Sequence, residues 1–172
     1  MKKILTLILL LTAGSAFAGN PYVGTSAGYL IDGEEPLFTA RVGSEIAQSN
    51  GLLHSIEAEI GYASEKESGV KLEIIPVMAN YRLRGTLGHS EVNFYSGAGA
   101  GFSRQKLTGF GFGDDAWAFA LQVFGGMEIK VAPSTSLTVG ARYLWINKYT
   151  IANVGVGSSD DVALEVGIHF RL

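Results

Sequence analysis

Three histidines, His54, His89 and His169, are the only side chains in this sequence that ordinarily titrate near neutral pH. A hydrolase built on serine, histidine and an acid needs one of them beside a serine and a carboxylate, and a metal centre needs several ligands together. Cysteine is absent, so neither thiolate chemistry nor a disulfide framework is available. Residues 109–113 read GFGFG, but the Lys-Ser/Thr pair and helix of a phosphate-cradling loop do not follow. What remains is a set of carboxylates and cations spaced at even intervals: Arg41, Glu45, Glu57, Glu59, Arg82, Glu91, Glu128, Lys130, Arg142, Glu165, His169 and Arg171. Both signs occur, and the chemistry open to them is pairing with one another. Asp114-Asp115 and Asp160-Asp161 are a second, acidic set with the character of solvated loop residues that can meet divalent cations.

These charges sit on segments of strict alternation. The closing stretch, 162–172, reads VALEVGIHFRL. One phase holds Val162, Leu164, Val166, Ile168, Phe170 and Leu172. The other holds Ala163, Glu165, Gly167, His169 and Arg171. A period of two is that of a β-strand, and eleven residues suit a tilted strand crossing a bilayer. Seven more segments follow the rule: 21–31, 37–47, 52–63, 70–83, 91–102, 116–131 and 136–147. The fourth departs in its upper half, where Leu72 and Ile74 take the inner phase beside Pro76. That predicts a β-bulge there, or an upper half standing above the membrane. Inward Gly97, Gly99 and Gly101 are expected to make room for Tyr95 or the arginines.

The even strand number agrees with the connections. Segments 48–51, 84–90 and 132–135 hold four to seven residues, whereas 103–115 and 148–161 hold 13 and 14, with 64–69 and 32–36 as short exceptions among the outer loops. Transmembrane barrels have short periplasmic turns, longer outer loops and an even strand count. The outward aromatics then sort into two girdles: Tyr29, Tyr62, Phe102, Trp117 and Trp145 above, and Tyr81, Phe94 and Phe170 below. On this layout His54 and His169 fall near the periplasmic side and His89 in a periplasmic turn. None reaches the outer leaflet, where an enzyme acting on lipid A would need it.

Lys2-Lys3, an apolar run from Ile4 to Leu11 and Ala16-Phe17-Ala18 form the three parts of a signal peptide, cleaved after Ala18. The expected mature domain is 19–172. Without Lys2 and Lys3, 11 basic residues face 16 acidic ones, a net charge of −5 that argues against nucleic acid.

The whole mature chain resembles the OmpA/OmpX-like eight-stranded outer-membrane barrels, including opacity-type surface proteins. The resemblance is carried by YVGTSAGYL at 22–30, YSGAGAGF at 95–102, GGMEIKVAPSTSLTVGARYL at 125–144 and VGIHFRL at 166–172. It implies a bacterial outer-membrane location and adhesive, surface-antigen or envelope-stabilising roles. It also implies that the closing strand, 162–172, is read by the barrel-assembly machinery. No catalytic set comes with it, and no cofactor is expected.

The expected fold is all-β: a closed, antiparallel, up-and-down eight-stranded transmembrane barrel. It is expected to be a monomer in contact with outer-membrane lipids and lipopolysaccharide. Its lumen would be filled by Arg41, Glu45, Glu57, Glu59, Arg82, Glu128, Lys130, Arg142, Glu165 and Arg171, with the outer loops as its contact surface. The alternatives are a narrow solute pore, a lipid A-modifying enzyme and a soluble lipocalin-like barrel.

Overall fold

The computed structural model describes residues 19–67, 69–86, 91–109, 112–152 and 154–172. The proposed signal peptide, 1–18, and His89 lie outside the described residues. Eight long strands close a barrel: β1 (Asn20–Leu30), β2 (Glu35–Ser49), β3 (Leu52–Glu67), β4 (Val70–Thr86), β5 (Val92–Gly109), β6 (Phe112–Ala132), β7 (Thr135–Ile146) and β10 (Ser159–Arg171). Each pairs antiparallel with its neighbour in sequence, and β10 returns to β1 from Tyr22↔Arg171 to Leu30↔Ala163. Closure leaves no free sheet edge, which is the condition for a sheet to stand in hydrocarbon. A small hairpin, β8 (Tyr149–Ile151) and β9 (Val154–Val156), occupies the last outer connection.

The alternation sorts side chains inside out relative to a water-soluble fold. Leu164 and Val166 are each 60% exposed on the outer face, with Phe102, Phe119, Val123 and Val139 around the ring. Between the two outward residues of β10, Glu165 is 9% exposed and faces the lumen.

The strands run further than the sequence pattern suggests. β5 continues to Gly109 and β6 begins at Phe112, so most of 103–115 is paired sheet rather than loop. Likewise β3 reaches Glu67, taking in 64–67, and β4 starts at Val70. At the other end β4 extends through Arg84 to Thr86, into the expected turn 84–90. The result is a lopsided outer rim. β3 to β6, at 16 to 21 residues, form a tall wall, and β1, at 11 residues, turns back low through 31–34.

The outer face of the tall wall changes character at one height. Below lie Tyr62, Val77, Phe102 and Trp117. Arg104 shares the rung of Trp117, and Lys71, Glu73, Lys106 and Asp115 lie above it. Glu73 is held down to about pKa 2 by hydrogen bonds from Lys71, Tyr62 and Lys106. A charged outer face directly above aromatics is where the hydrocarbon must end.

The expected bulge at Pro76 is absent. Ile60↔Val77 and Ala63↔Ile74 share one register, and the ladder skips the Gly61/Pro76 and Tyr62/Ile75 levels, at and beside the proline that has no N–H to give. The upper half of β4 instead stands above the membrane, with Leu72 and Ile74 turned inward. Register shifts occur lower down, at Glu45/Ala47 and Lys130/Ala132. Asn50-Gly51, both with positive φ (51° and 78°), forms the two-residue hairpin turn that this pair favours.

The inward glycines make room as expected, but for other neighbours. Gly97 faces the Phe124 ring, Gly99 the Asn80 amide and Gly101 Met78. Tyr95 instead puts its hydroxyl against Gly126 and Gly140. A Cβ on Gly140 would overlap that hydroxyl and the Gly125 carbonyl. Gly140→Val is therefore expected to lower the unfolding midpoint in urea by the equivalent of about 1–3 kcal/mol, a typical overpacking cost. Tyr95→Ala in the same chain should recover part of that loss, read by heat-modifiable gel migration.

Candidate functional site in the barrel lumen

The lumen is filled in layers, read upward from the periplasmic end. The lowest layer is an ion-paired cluster. Arg84 bridges Glu45 and Glu128, with nitrogen–oxygen distances of 2.5 and 3.0 Å. Arg82 bridges Glu128 at 2.9 Å and Glu57 at 3.3 Å, and its guanidinium lies 4.2 Å from the Tyr95 ring centroid. Tyr22 donates to Glu57 at 2.7 Å, and its ring meets that of His169 edge-on. His169 Nδ1 lies 3.3 Å from Glu128 Oε2.

The second layer centres on Arg142. It binds Glu59 through both terminal nitrogens, Glu165 through Nε at 2.6 Å, and Gln122. Arg41 closes the layer, 3.7 Å from Glu59 and 3.9 Å from Glu165, and donates to Ser26 at 3.1 Å. Gln122 ties in Asn80 at 2.7 Å. A fork-shaped guanidinium between two carboxylates satisfies several lone pairs at once, which is what a buried charge requires.

Above the ions the filling turns apolar. Leu30, Leu37, Ala63 and Ala163 pack as one cluster, and Met78, Ala118, Ala120, Leu144 and Ile146 as another, with Ile74 touching both. Tyr149 of β8 caps the second cluster.

Most of the sequence-predicted network thus comes together. Arg41, Glu45, Glu57, Glu59, Arg82, Glu128, Arg142 and Glu165 all lie in the two ionic layers. Two residues do not belong to the buried set. Lys130 is exposed at the periplasmic mouth, near the register shift that ends the regular part of β6. Arg171 also stands at that mouth, with its side chain 41% exposed and 3.8 Å from Glu45, so it caps the network from outside.

Three inward polar residues escaped the sequence reading: Arg84, Gln105 and Glu35. Each occupies an inner-phase position just beyond a boundary drawn at the last clean alternation. Extending the phase of Arg82 by two residues, or of Leu37 back by two, would have found Arg84 and Glu35.

Glu35 lies on the outer side, above the apolar clusters and beyond the membrane. It is 4% exposed, and its Oε2 has no hydrogen-bond partner. Nearby, Asp161 accepts hydrogen bonds from the N–H groups of Ile31, Asp32 and Gly33 at 2.8–3.0 Å, which fixes the low turn. Burial, reinforced by Glu65 and Asp161, raises the Glu35 carboxyl to about 7.

The outward aromatics Tyr29, Tyr62, Tyr81, Phe94, Phe102, Trp117 and Phe170 are exposed on the outer face, and Trp145 is half-buried there. Among the described residues no cluster of His, Asp and Glu converges as a metal site. His54 contacts the Tyr81 hydroxyl low on the outer face, and His169 lies in the lowest lumen layer.

The geometry is that of a transmembrane barrel with a packed polar interior. The chain belongs to the outer membrane protein beta-barrel domain family, whose model matches residues 4–170. It is therefore an integral protein of the bacterial outer membrane. The fold is similar to that of the Neisserial surface protein A, NspA, with 21% identity, a TM-score of 0.58, and coverage of 88% of this chain and 97% of that one. It is also similar to outer membrane protein H, OprH, of Pseudomonas aeruginosa (19% identity, TM-score 0.60, 90% and 100% covered). A third similar structure is the outer membrane enzyme PagL (11% identity, TM-score 0.52, 88% and 99% covered). Comparison with curated protein sequences finds no match. At these identities the structural likeness speaks for the fold alone.

Two outcomes follow from the site. Removing Arg142 leaves Glu59 and Glu165 buried and under-compensated. Arg142→Met should cost about 3–5 kcal/mol in urea unfolding from micelles, and Glu59→Gln in the same chain should cost less than the two single changes added.

The second concerns pH. Because the folded Glu35 carboxyl holds its proton to about 7, against 4.5 ordinarily, the native state binds the extra proton between those values. Stability then falls as pH rises from about 4.5 to 7 and levels off above. Glu35→Gln should raise the urea midpoint relative to the unaltered protein at pH 8 and leave it unchanged at pH 4.

Proposed function

We propose that this protein is a monomeric, non-conducting surface protein that works through its outer rim and not through its lumen. The observation that carries this is the continuous filling of the interior: two ionic layers under two apolar clusters. A pore would need a connected polar path, and the apolar layer of Leu37, Ile74 and Leu144 interrupts it. An eight-stranded barrel has an interior only wide enough for its own side chains.

The contact surface is then the tall wall of β3 to β6 with the β8–β9 hairpin. The outward Lys71 and Lys106, above Phe102 and Trp117, and Arg104, beside Trp117, stand at the height of lipopolysaccharide head groups. That height supports contact with lipopolysaccharide in addition to acyl chains. Tyr29, Tyr62, Phe102, Trp117 and Trp145 form the upper membrane girdle, and Tyr81, Phe94 and Phe170 the lower one. The closing strand, 162–172, presents alternating apolar residues to the assembly machinery, and residues 1–18 serve as the cleaved export signal.

No enzymatic role is proposed. A lipid A hydrolase needs a histidine at the outer leaflet, and both described histidines sit near the periplasmic end.

In planar bilayers the purified barrel should give no stable open events. Discrete, long-lived conductance steps would overturn the non-conducting reading.

A further inference from the structure

The low turn and the tall wall enclose a cup that opens to the outside and has a volume of about 300 Å3. Its floor is the apolar plug, lined by Leu37, Ile74 and Leu144. Its walls carry only acids among the charged side chains of the described lining. Glu35 comes from β2, Glu65 from β3 and Asp161 from β10, with Asp32 and Asp160 at the lip. Among the described residues no lysine or arginine lines it.

The acids differ in what they already do. Asp161 is taken up by three backbone N–H groups. Glu35 is buried with an oxygen that nothing satisfies. The two carboxylates converge: Glu35 Oε1 and Asp161 Oδ2 lie 3.4 and 3.2 Å from the point where a Cβ on Gly33 would stand. Glycine there keeps the space between them open. An unsatisfied buried carboxylate is costly to retain unless something pairs with it.

We propose that this cup binds a small organic cation, an ammonium or guanidinium group on a compact apolar body, with Glu35 as its counter-ion. The apolar floor takes the body and the converging carboxylates take the charge. A bare divalent ion fits poorly: the floor is mainly apolar, Asp161 is already engaged, and no metal cluster forms among the described residues. The inference goes beyond the surface-contact reading, which stands even if the cup binds nothing.

Glu35 must lose its proton to act, so the site titrates with it. The charged groups facing it are Glu65 and Asp161. Burial first, then these two acids, hold the proton on to about pH 7. Binding should therefore tighten by about tenfold from pH 6 to pH 8.

The test is a titration of the full barrel in zwitterionic micelles, followed by amide NMR, with cyclohexylammonium as the probe and cyclohexanol as its uncharged counterpart. Saturable shifts are expected at Gly33, Ile74 and Leu144. Cyclohexanol should bind at least tenfold more weakly at pH 8. Glu35→Gln should lose at least tenfold in affinity and the pH dependence with it, while Glu73→Gln, on the outer face, should bind as the unaltered protein does. If Glu35→Gln does not fold, the pH series and the cyclohexanol comparison on the unaltered chain decide alone. The proposal is overturned by absence of saturable shifts, by equal binding of the two probes, or by the same shifts with calcium ion in place of the amine.

Discussion

Hydrocarbon offers neither hydrogen bonds nor counter-ions, and every polar group of the spanning strands must therefore find its partner within the chain. The backbone meets this by closing β10 onto β1. The side chains meet it by sending every charged residue of the span to the inner face. Once inside a lumen a few side chains wide, charges are tolerable only as pairs. Arg142 between Glu59 and Glu165, and Arg82 and Arg84 around Glu128, are the outcome. The four lumen arginines face five glutamates, and Arg171 at the mouth supplies the remaining cation beside Glu45. The interior thus comes close to neutrality without outside ions.

This constraint also explains the vertical order of the filling. The ion pairs occupy the lower and middle levels, where the outer face is apolar. The upper plug is apolar because it lies near the rim, where water and the cup begin. Above it the acids return, now on the solvent side. The apolar layer separates the ionic layers from the outer opening, and the outer end is shaped by unequal strand lengths. The family places the chain in the outer membrane.

Strand existence, face assignment and most of the ionic network were legible in the sequence because a period of two survives in every spanning segment. Glu59 and Arg142 fall 83 residues apart, yet phase alone puts both inside. Strand ends were not legible. Above the membrane both faces of the sheet meet water or the cup, so the apolar-polar contrast fades while the hydrogen-bonded ladder continues. That is why most of 103–115 reads as loop and folds as sheet, and why Glu35 and Arg84 read as turn residues. Pairing partners were equally beyond reach: alternation says which side a glutamate faces, and only the barrel's register brings it to a particular arginine. Lys130 shows the opposite failure, an inner-phase residue carried out to the mouth beside a register shift.

The partition of side chains between hydrocarbon and lumen is the claim on which all of this rests, and the absence of cysteine makes it directly measurable. Single cysteines placed in turn at Leu164, Glu165, Val166 and Gly167, each carrying a fluorophore, can be quenched by brominated lipids in reconstituted vesicles. The account predicts strong quenching at 164 and 166 and little at 165 and 167. Uniform quenching along the strand, or the opposite alternation, would contradict it.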